Sequence, residues 1–188
     1  LPSVKYKGQG GLMDVILHPN FDNNQRIYLS YSKPKPDDFE YATTAVFSGI
    51  LENNTLIHGK DIFVAEPYLN TNHHYGCRMI FDKNGFLFVA IGERGRRDEN
   101  PQYLGNDLGK IHRLNDDGTV PIDNPFYNTP HAKKSIYSYG HRNPQGLCYN
   151  AVTNKIYVNE HGPRGGDEVN LVKAGENYGW PVITYGIN

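Results

Sequence analysis

Five polar insertions in this 188-residue chain carry more reactive side chains than a turn requires. Gly8-Gln9-Gly10-Gly11 comes first, then Asn72-His73-His74-Tyr75-Gly76-Cys77-Arg78, then Ile91-Gly92-Glu93-Arg94-Gly95-Arg96-Arg97. Tyr139-Gly140-His141-Arg142-Asn143-Pro144-Gln145-Gly146 and the run NEHGPRGGDEVNL (159–171) complete the set. One of His73 and His74 is a candidate for a lone functional imidazole. Adjacent residues on a strand point to opposite faces, so the two should not chelate a metal together, and either could simply be exposed. Taken alone, Glu93-Arg94 and Arg96-Arg97 are ordinary solvated charge, worth little as surface ion pairs. Arg142-Asn143 has the composition of a corner that hydrogen-bonds loop carbonyls. Gly8 to Gly11 is a turn; no Gly-Lys-Ser/Thr follows, so it is no phosphate loop.

The last insertion has two readings. Its glycines supply positive φ, Pro163 stiffens the turn, and Asp167 or Glu168 can bind backbone amides. Alternatively, Gly162-Pro163 can aim two consecutive carbonyls at a hard cation such as calcium, which takes oxygen ligands. Spacing alone does not choose between them.

The elements that must position these groups are strands. Three segments share an apolar strand, a polar turn and an aromatic or β-branched strand: Val15–His18 to Ile27–Ser30, Met79–Asp82 to Phe86–Val89, and Leu147–Asn150 to Ile156–Asn159. Anchored on His18, Phe81 and Tyr149, the copies lie 63 and 68 residues apart. The turns FDNNQ, DKNG and NAVTN have hairpin chemistry. Further strand patterns at 43–51, 61–65 and 109–114 suggest four strands per repeat, the pattern of a β-propeller blade with long connections. An irregular β-sandwich is the alternative. No segment holds a 3.6-residue apolar period for three turns, which excludes helical and doubly wound folds. Units of about 65 residues give close to three blades, too few to close a ring, so residues 1–188 are expected to form part of a larger propeller domain. One set of loops in a propeller gathers around the central channel, so the five insertions can converge.

Composition narrows the function classes. Net charge is −1 with 38% hydrophobic residues, which gives no basic footprint for nucleic acid. No apolar run approaches the length of a membrane span. Cys77 and Cys148 are neither a disulfide framework nor a zinc set, and their places on neighbouring blades point to two reduced thiols. The chain starts at Leu without a charged-then-apolar leader, so any export signal is expected to be removed or not included. Unpaired sheet edges favour association, in the simplest case a homodimer.

The insertions and their flanks together resemble the glucose/sorbosone dehydrogenase family, above all its soluble aldose sugar dehydrogenase branch. The residues that carry the resemblance are GQGGLMDVILHPNF (8–21), HYGCRMIFDKNGFLFVAIGERG (74–95), GKIHRLNDDGTVPIDNPF (109–126), SYGHRNPQG (138–146) and NEHGPRGGDEVNL with NYGWPVITYGIN (159–188). The likeness runs in order over nearly the whole chain. It implies an all-β, six-bladed propeller of which this chain covers roughly three blades. It also implies pyrroloquinoline quinone (PQQ) held through calcium, oxidation of an aldose at C1 to a lactone, an external electron acceptor, and export to the periplasm or beyond.

Residue by residue, the resemblance makes His74 the general base and Glu93 the carboxylate that holds its imidazole. Gln9 lines the sugar and base region. Arg142 and Asn143 would contact the quinone oxygens and stabilise charge there. Gly162 and Pro163 would ligate calcium through their carbonyl oxygens, with Asp167 and Glu168 supporting the loop. Two positions mark the aldose branch: Glu93, where the glucose-type branch has Asp, and His161, where it has Gln among the cofactor-contacting residues. Cationic residues for the PQQ carboxylates come from later blades in the family. Two alternatives of other classes are a non-catalytic propeller that binds a protein or glycan, and a calcium-dependent lactonase-type propeller that activates water.

Overall fold

The computed structural model describes residues 1–187. The chain folds into three antiparallel sheets in sequence order. The first contains β1 (Leu12–Leu17), β2 (Arg26–Lys35), β3 (Asp38–Glu52) and β4 (Thr55–Val64), and the second β5 (Gly76–Phe81), β6 (Leu87–Ile91), β7 (Lys110–Leu114) and β8 (Ile136–Tyr139). The third contains β9 (Pro144–Asn150), β10 (Lys155–Glu160) and β11 (Glu168–Val172). Each is a simple meander in which sequential strands pair, as the repeat predicts for propeller blades.

The turns follow their chemistry with one exception. In DKNG, Asp82 Oδ1 accepts the N–H groups of Asn84 and Phe86 at 2.9 and 3.0 Å, while Gly85 takes a left-handed φ of 80°. In NAVTN, Asn150 Oδ1 accepts from Val152 and Thr153, each at 3.0 Å. FDNNQ is not a plain hairpin turn. Phe21–Asn24 closes a short α-helical turn, α1, which Gln25 ends with a left-handed φ of 51°.

Sheet-to-sheet packing explains the continuous apolar run of β6, buried at all five positions. Alternate side chains of a strand point to opposite faces. Leu87, Val89 and Ile91 join Tyr28, Val46 and Met79 against the first sheet. Phe88 and Ala90 join Ile156, Val158 and Val172 against the third. The middle sheet is therefore covered on both faces, each large side chain contributing about 1.5–3 kcal/mol by burial. Cys77 is buried, Cys148 is exposed, and neither is in a disulfide. Burial pushes the Cys77 thiol pKa up. Among the described residues, no helix is long and apolar enough to cross a membrane.

Candidate active site

Four of the eight residues expected at a site, His74, Glu93, Arg142 and Pro163, line one pocket of about 340 Å³ together with His73, Gly95, Arg97, Arg164, Trp180 and Ile187. The segment before β5 brings His74, the segment after β6 brings Glu93, and the segment before β9 brings Arg142. The loop between β10 and β11 supplies Pro163, and the chain beyond β11 supplies Trp180.

His74 sits outside any strand with a left-handed φ of 54°, so strand alternation does not govern the His73-His74 pair. The two rings meet edge to face, 4.6 Å between centroids. This corrects the expectation that they diverge, yet no third ligand joins them: among the described residues, no group of three or more His, Cys, Asp or Glu could hold a metal. His73 is desolvated and stands beside His74, which together lower its pKa.

The Nδ1 of His74 lies 2.5 Å from Glu93 Oε1, with side chains 15% and 2% exposed respectively. A carboxylate on Nδ1 fixes the tautomer with Nδ1 as donor and leaves the Nε2 lone pair for another proton. The backbone N–H of His74 donates to Gln9 Oε1 at 2.7 Å. Gln9 thus fixes the main chain of His74 and is not among the residues lining the pocket. Glu93 Oε2 is buried without a hydrogen-bond partner.

Solvated charge does not describe Glu93-Arg94. Glu93 is 1% exposed and Arg94 fully buried. Arg94 Nε donates to His73 O at 3.0 Å and Nη1 to Ala42 O at 2.9 Å. Its Nη2 donates to Thr71 O, and its guanidinium lies 3.6 Å above the Tyr75 ring. This cation is the internal strut of the segment that carries His74. No local sequence pattern announces it, because its acceptors lie 21 to 52 positions away.

Arg142 and Asn143 form the structural corner that their composition suggests. Arg142 Nη1 donates to His161 O at 3.1 Å, and Asn143 Oδ1 accepts the Gly76 N–H at 3.3 Å, so both brace loops. Arg142 nonetheless reaches the pocket with its Nε buried and unpartnered, and desolvation lowers its pKa. Trp180 packs near Arg97 and Arg142, with guanidinium carbons 5.0 and 5.3 Å from its ring centroid. Its indole N–H is also buried without a partner.

His161 is not among the residues lining that pocket. Its side chain is 54% exposed, with Nε2 2.8 Å from Gln145 Oε1 and Nδ1 3.6 Å from Asp167. With Gly162 it lines an adjoining small cavity. The Gly162 N–H donates to Asp167 Oδ1 at 2.9 Å. This bond, with His161 nearby, holds the Asp167 carboxyl below its usual range. Glu168 instead accepts from Asn170 Nδ2 at 2.9 Å.

Both groups implied by the resemblance fit these residues. PQQ is a flat ortho-quinone with three carboxylates. The pocket offers three arginines against one carboxylate, an indole face, and two unpartnered buried N–H donors. Main-chain oxygens crowd the loop before β11. A Cβ on Gly162 would stand 2.3 and 2.4 Å from the carbonyl oxygens of Gly166 and Gly165, and one on Gly186 would stand 2.0 Å from that of Pro163. Only glycine permits that packing, and carbonyl oxygen is the donor chemistry a hard cation takes.

A family model described as Glucose / Sorbosone dehydrogenase matches residues 1–188. The chain is 46% identical over 190 residues to "Aldose sugar dehydrogenase YliI" of Escherichia coli (strain K12), covering 100% of this chain and 50% of that protein. The crystal structure of the soluble aldose sugar dehydrogenase from Escherichia coli in the apo-form superposes with a TM-score of 0.95 at 45% identity, over 100% of this chain and 54% of that one. The PQQ-bound form of an aldose sugar dehydrogenase from Streptomyces coelicolor gives 0.80 at 28% identity, over 96% of this chain and 51% of that one. The chain spans about half the length of the curated relatives it matches, and its three sheets are propeller blades.

Proposed function

The chain belongs to the glucose/sorbosone dehydrogenase family, and from that premise we propose that it carries the base and cation half of a PQQ- and calcium-dependent aldose dehydrogenase. The observation that carries the proposal is the His74–Glu93 pair at 2.5 Å, set in the wall of a pocket with three arginines. Two relatives are named as aldose sugar dehydrogenases, one of them in a PQQ-bound form; these names support the cofactor and the substrate class.

His74 takes the proton of the sugar C1 hydroxyl at Nε2, because Nδ1 is committed to Glu93. The Glu93 carboxylate keeps the imidazole in that orientation and stabilises it once protonated. When bound, PQQ with its calcium supplies the two-electron acceptor for the C1 hydride, leaving the sugar as its lactone. Arg142 and Asn143 offer donors toward the quinone oxygens, and Arg97 and Arg164 offer charge to its carboxylates. The carbonyls of Gly162 and Pro163 would hold the calcium. An exported enzyme passing electrons to an external acceptor completes the proposal. The intact base, its carboxylate and the glycine-restricted loop in one place favour catalysis over a binding-only propeller.

The test uses the full-length protein that contains this chain. Adding PQQ and calcium to the apo-protein should give aldose-dependent dye reduction, and His74→Asn should lower kcat by about 10²-fold or more. An unchanged rate in that variant sinks the assignment of the base. Lactone hydrolysis without any PQQ-dependent oxidation points instead to the lactonase-type alternative.

A further inference from the structure

The His–carboxylate arrangement occurs twice. His74 and Glu93 are 19 residues apart, and so are His141 and Glu160. In each case the histidine precedes the first strand of its sheet and the glutamate ends or follows the second. The blade repeat has delivered the same pair to neighbouring blades.

The second pair faces no solvent. His141 is fully buried, with Nδ1 2.9 Å from Glu160 Oε1 and Nε2 2.9 Å from Ser138 Oγ. Its ring stacks on Tyr178 at 4.6 Å and 21°. Both nitrogens are committed, so it has no lone pair for a substrate proton. Glu160 makes the informative contact: its Oε2 accepts the backbone N–H of Arg142 at 2.7 Å. The carbonyl of the same Arg142 accepts the backbone N–H of Glu93 at 2.8 Å. Arg142 is thus held at its N–H by one pair and at its C=O by the glutamate of the other.

We infer that His141–Glu160 is a positioning pair for Arg142, fixing the main chain from which the guanidinium faces the pocket; the inference rests on the functional reading above. Every group around Glu160 donates to it: the Arg142 N–H, the His141 ring and, at 3.4 Å, Asn170 Nδ2. Glu160 acts only as an acceptor in this arrangement. A neutral glutamine there would satisfy one of the two close donors and present its own NH₂ to the other.

The test is a double-mutant cycle on the full-length protein with PQQ as the titrated ligand at saturating calcium, affinity read by quenching of tryptophan fluorescence. Glu160→Gln should weaken PQQ binding about tenfold, and the same change in an Arg142→Ala background should have less than a twofold effect. Ser138→Ala, which removes only the hydroxyl on His141, should weaken binding in the same direction by less. It too should have no effect once Arg142 is gone, which keeps the test decisive if Glu160→Gln folds poorly. Equal effects of Glu160→Gln with and without Arg142 would mean a general structural role and overturn the inference, as would undiminished affinity. A wild-type protein that does not bind PQQ removes the functional reading, and the inference with it.

Discussion

The backbone N–H of Glu93 donates to the carbonyl oxygen of Arg142 at 2.8 Å, joining the second and third sheets at the pocket. Glu93 holds His74 through its side chain. One main-chain bond therefore links the segment that carries the His74–Glu93 pair to the segment that carries Arg142. A shift of either sheet would move both.

Replacing Glu93 should separate orientation from chemistry. Glu93→Gln keeps the volume and removes the charge that stabilises a protonated His74. We expect kcat of the loaded full-length enzyme to fall about 10²-fold or more with KM for the sugar within about threefold. Steady-state kinetics on a sugar that saturates the wild type measures both, and an unchanged kcat would contradict the pairing.

Arg94 should matter for stability. Arg94→Met leaves the carbonyls of His73, Thr71 and Ala42 without their shared donor in a buried setting, at a cost of about 3 kcal/mol or more. Arg94→Lys should recover little, because an ammonium lacks the planar fork that reaches three acceptors and stacks on Tyr75. Urea denaturation of each variant measures the difference.

Two glycines near the site should behave oppositely. A Cβ on Gly92 would stand 2.1 Å from the carbonyl oxygen of His74, while one on Gly11 meets nothing within 4 Å. Gly92→Ala must displace the main chain of the base, so it should cost about 1–3 kcal/mol and most of the activity. Gly11→Ala should stay within about 0.5 kcal/mol of the wild type. Thermal melts with matched activity assays distinguish the two.

Lys110 should impose a pH dependence on stability. It is fully buried, and its ammonium donates to the carbonyls of Asn100 and Leu108 at 2.8 and 2.7 Å. Burial pushes its pKa down from 10.5 to about 7, with Asp107 opposing the shift. Between those values the folded chain binds fewer protons at this site than the unfolded chain. Its contribution to stability therefore rises with pH across that window, by at most about 1.4 kcal/mol per pH unit, and is lost as pH falls through about 7. Urea midpoints from pH 6 to 10 should lose this rise in Lys110→Met, whatever that variant's absolute stability.

Much of the scaffold was legible because strand pairing has a local signature. The hairpin of β5 and β6 could be read from its apolar alternation and from DKNG between the strands, since Asp82 and Gly85 act within four residues. The site was legible in pieces: a motif placed His74, Glu93 and Pro163, and folding brought them to one pocket. Three placements escaped for physical reasons. Arg94 looks like surface charge until Ala42 and Thr71, distant in sequence, arrive as its acceptors. His161 carries a motif position, but its neighbours Gln145 and Asp167 draw it outward. Trp180 gains meaning only from where the chain passes after β11. The His141–Glu160 pair is legible in the sequence, since its 19-residue spacing repeats that of His74 and Glu93.

The left-handed backbone at His74 bears on how a substitution library at that position should be scored. With φ at 54°, Asn, Asp and Gly can occupy the site with little strain, whereas Val, Ile or Thr distort the loop before any proton is moved. Inactive clones with β-branched residues would report conformation, and inactive Asn clones would report the missing imidazole. Ranking the library by activity alone would merge two different defects under one score.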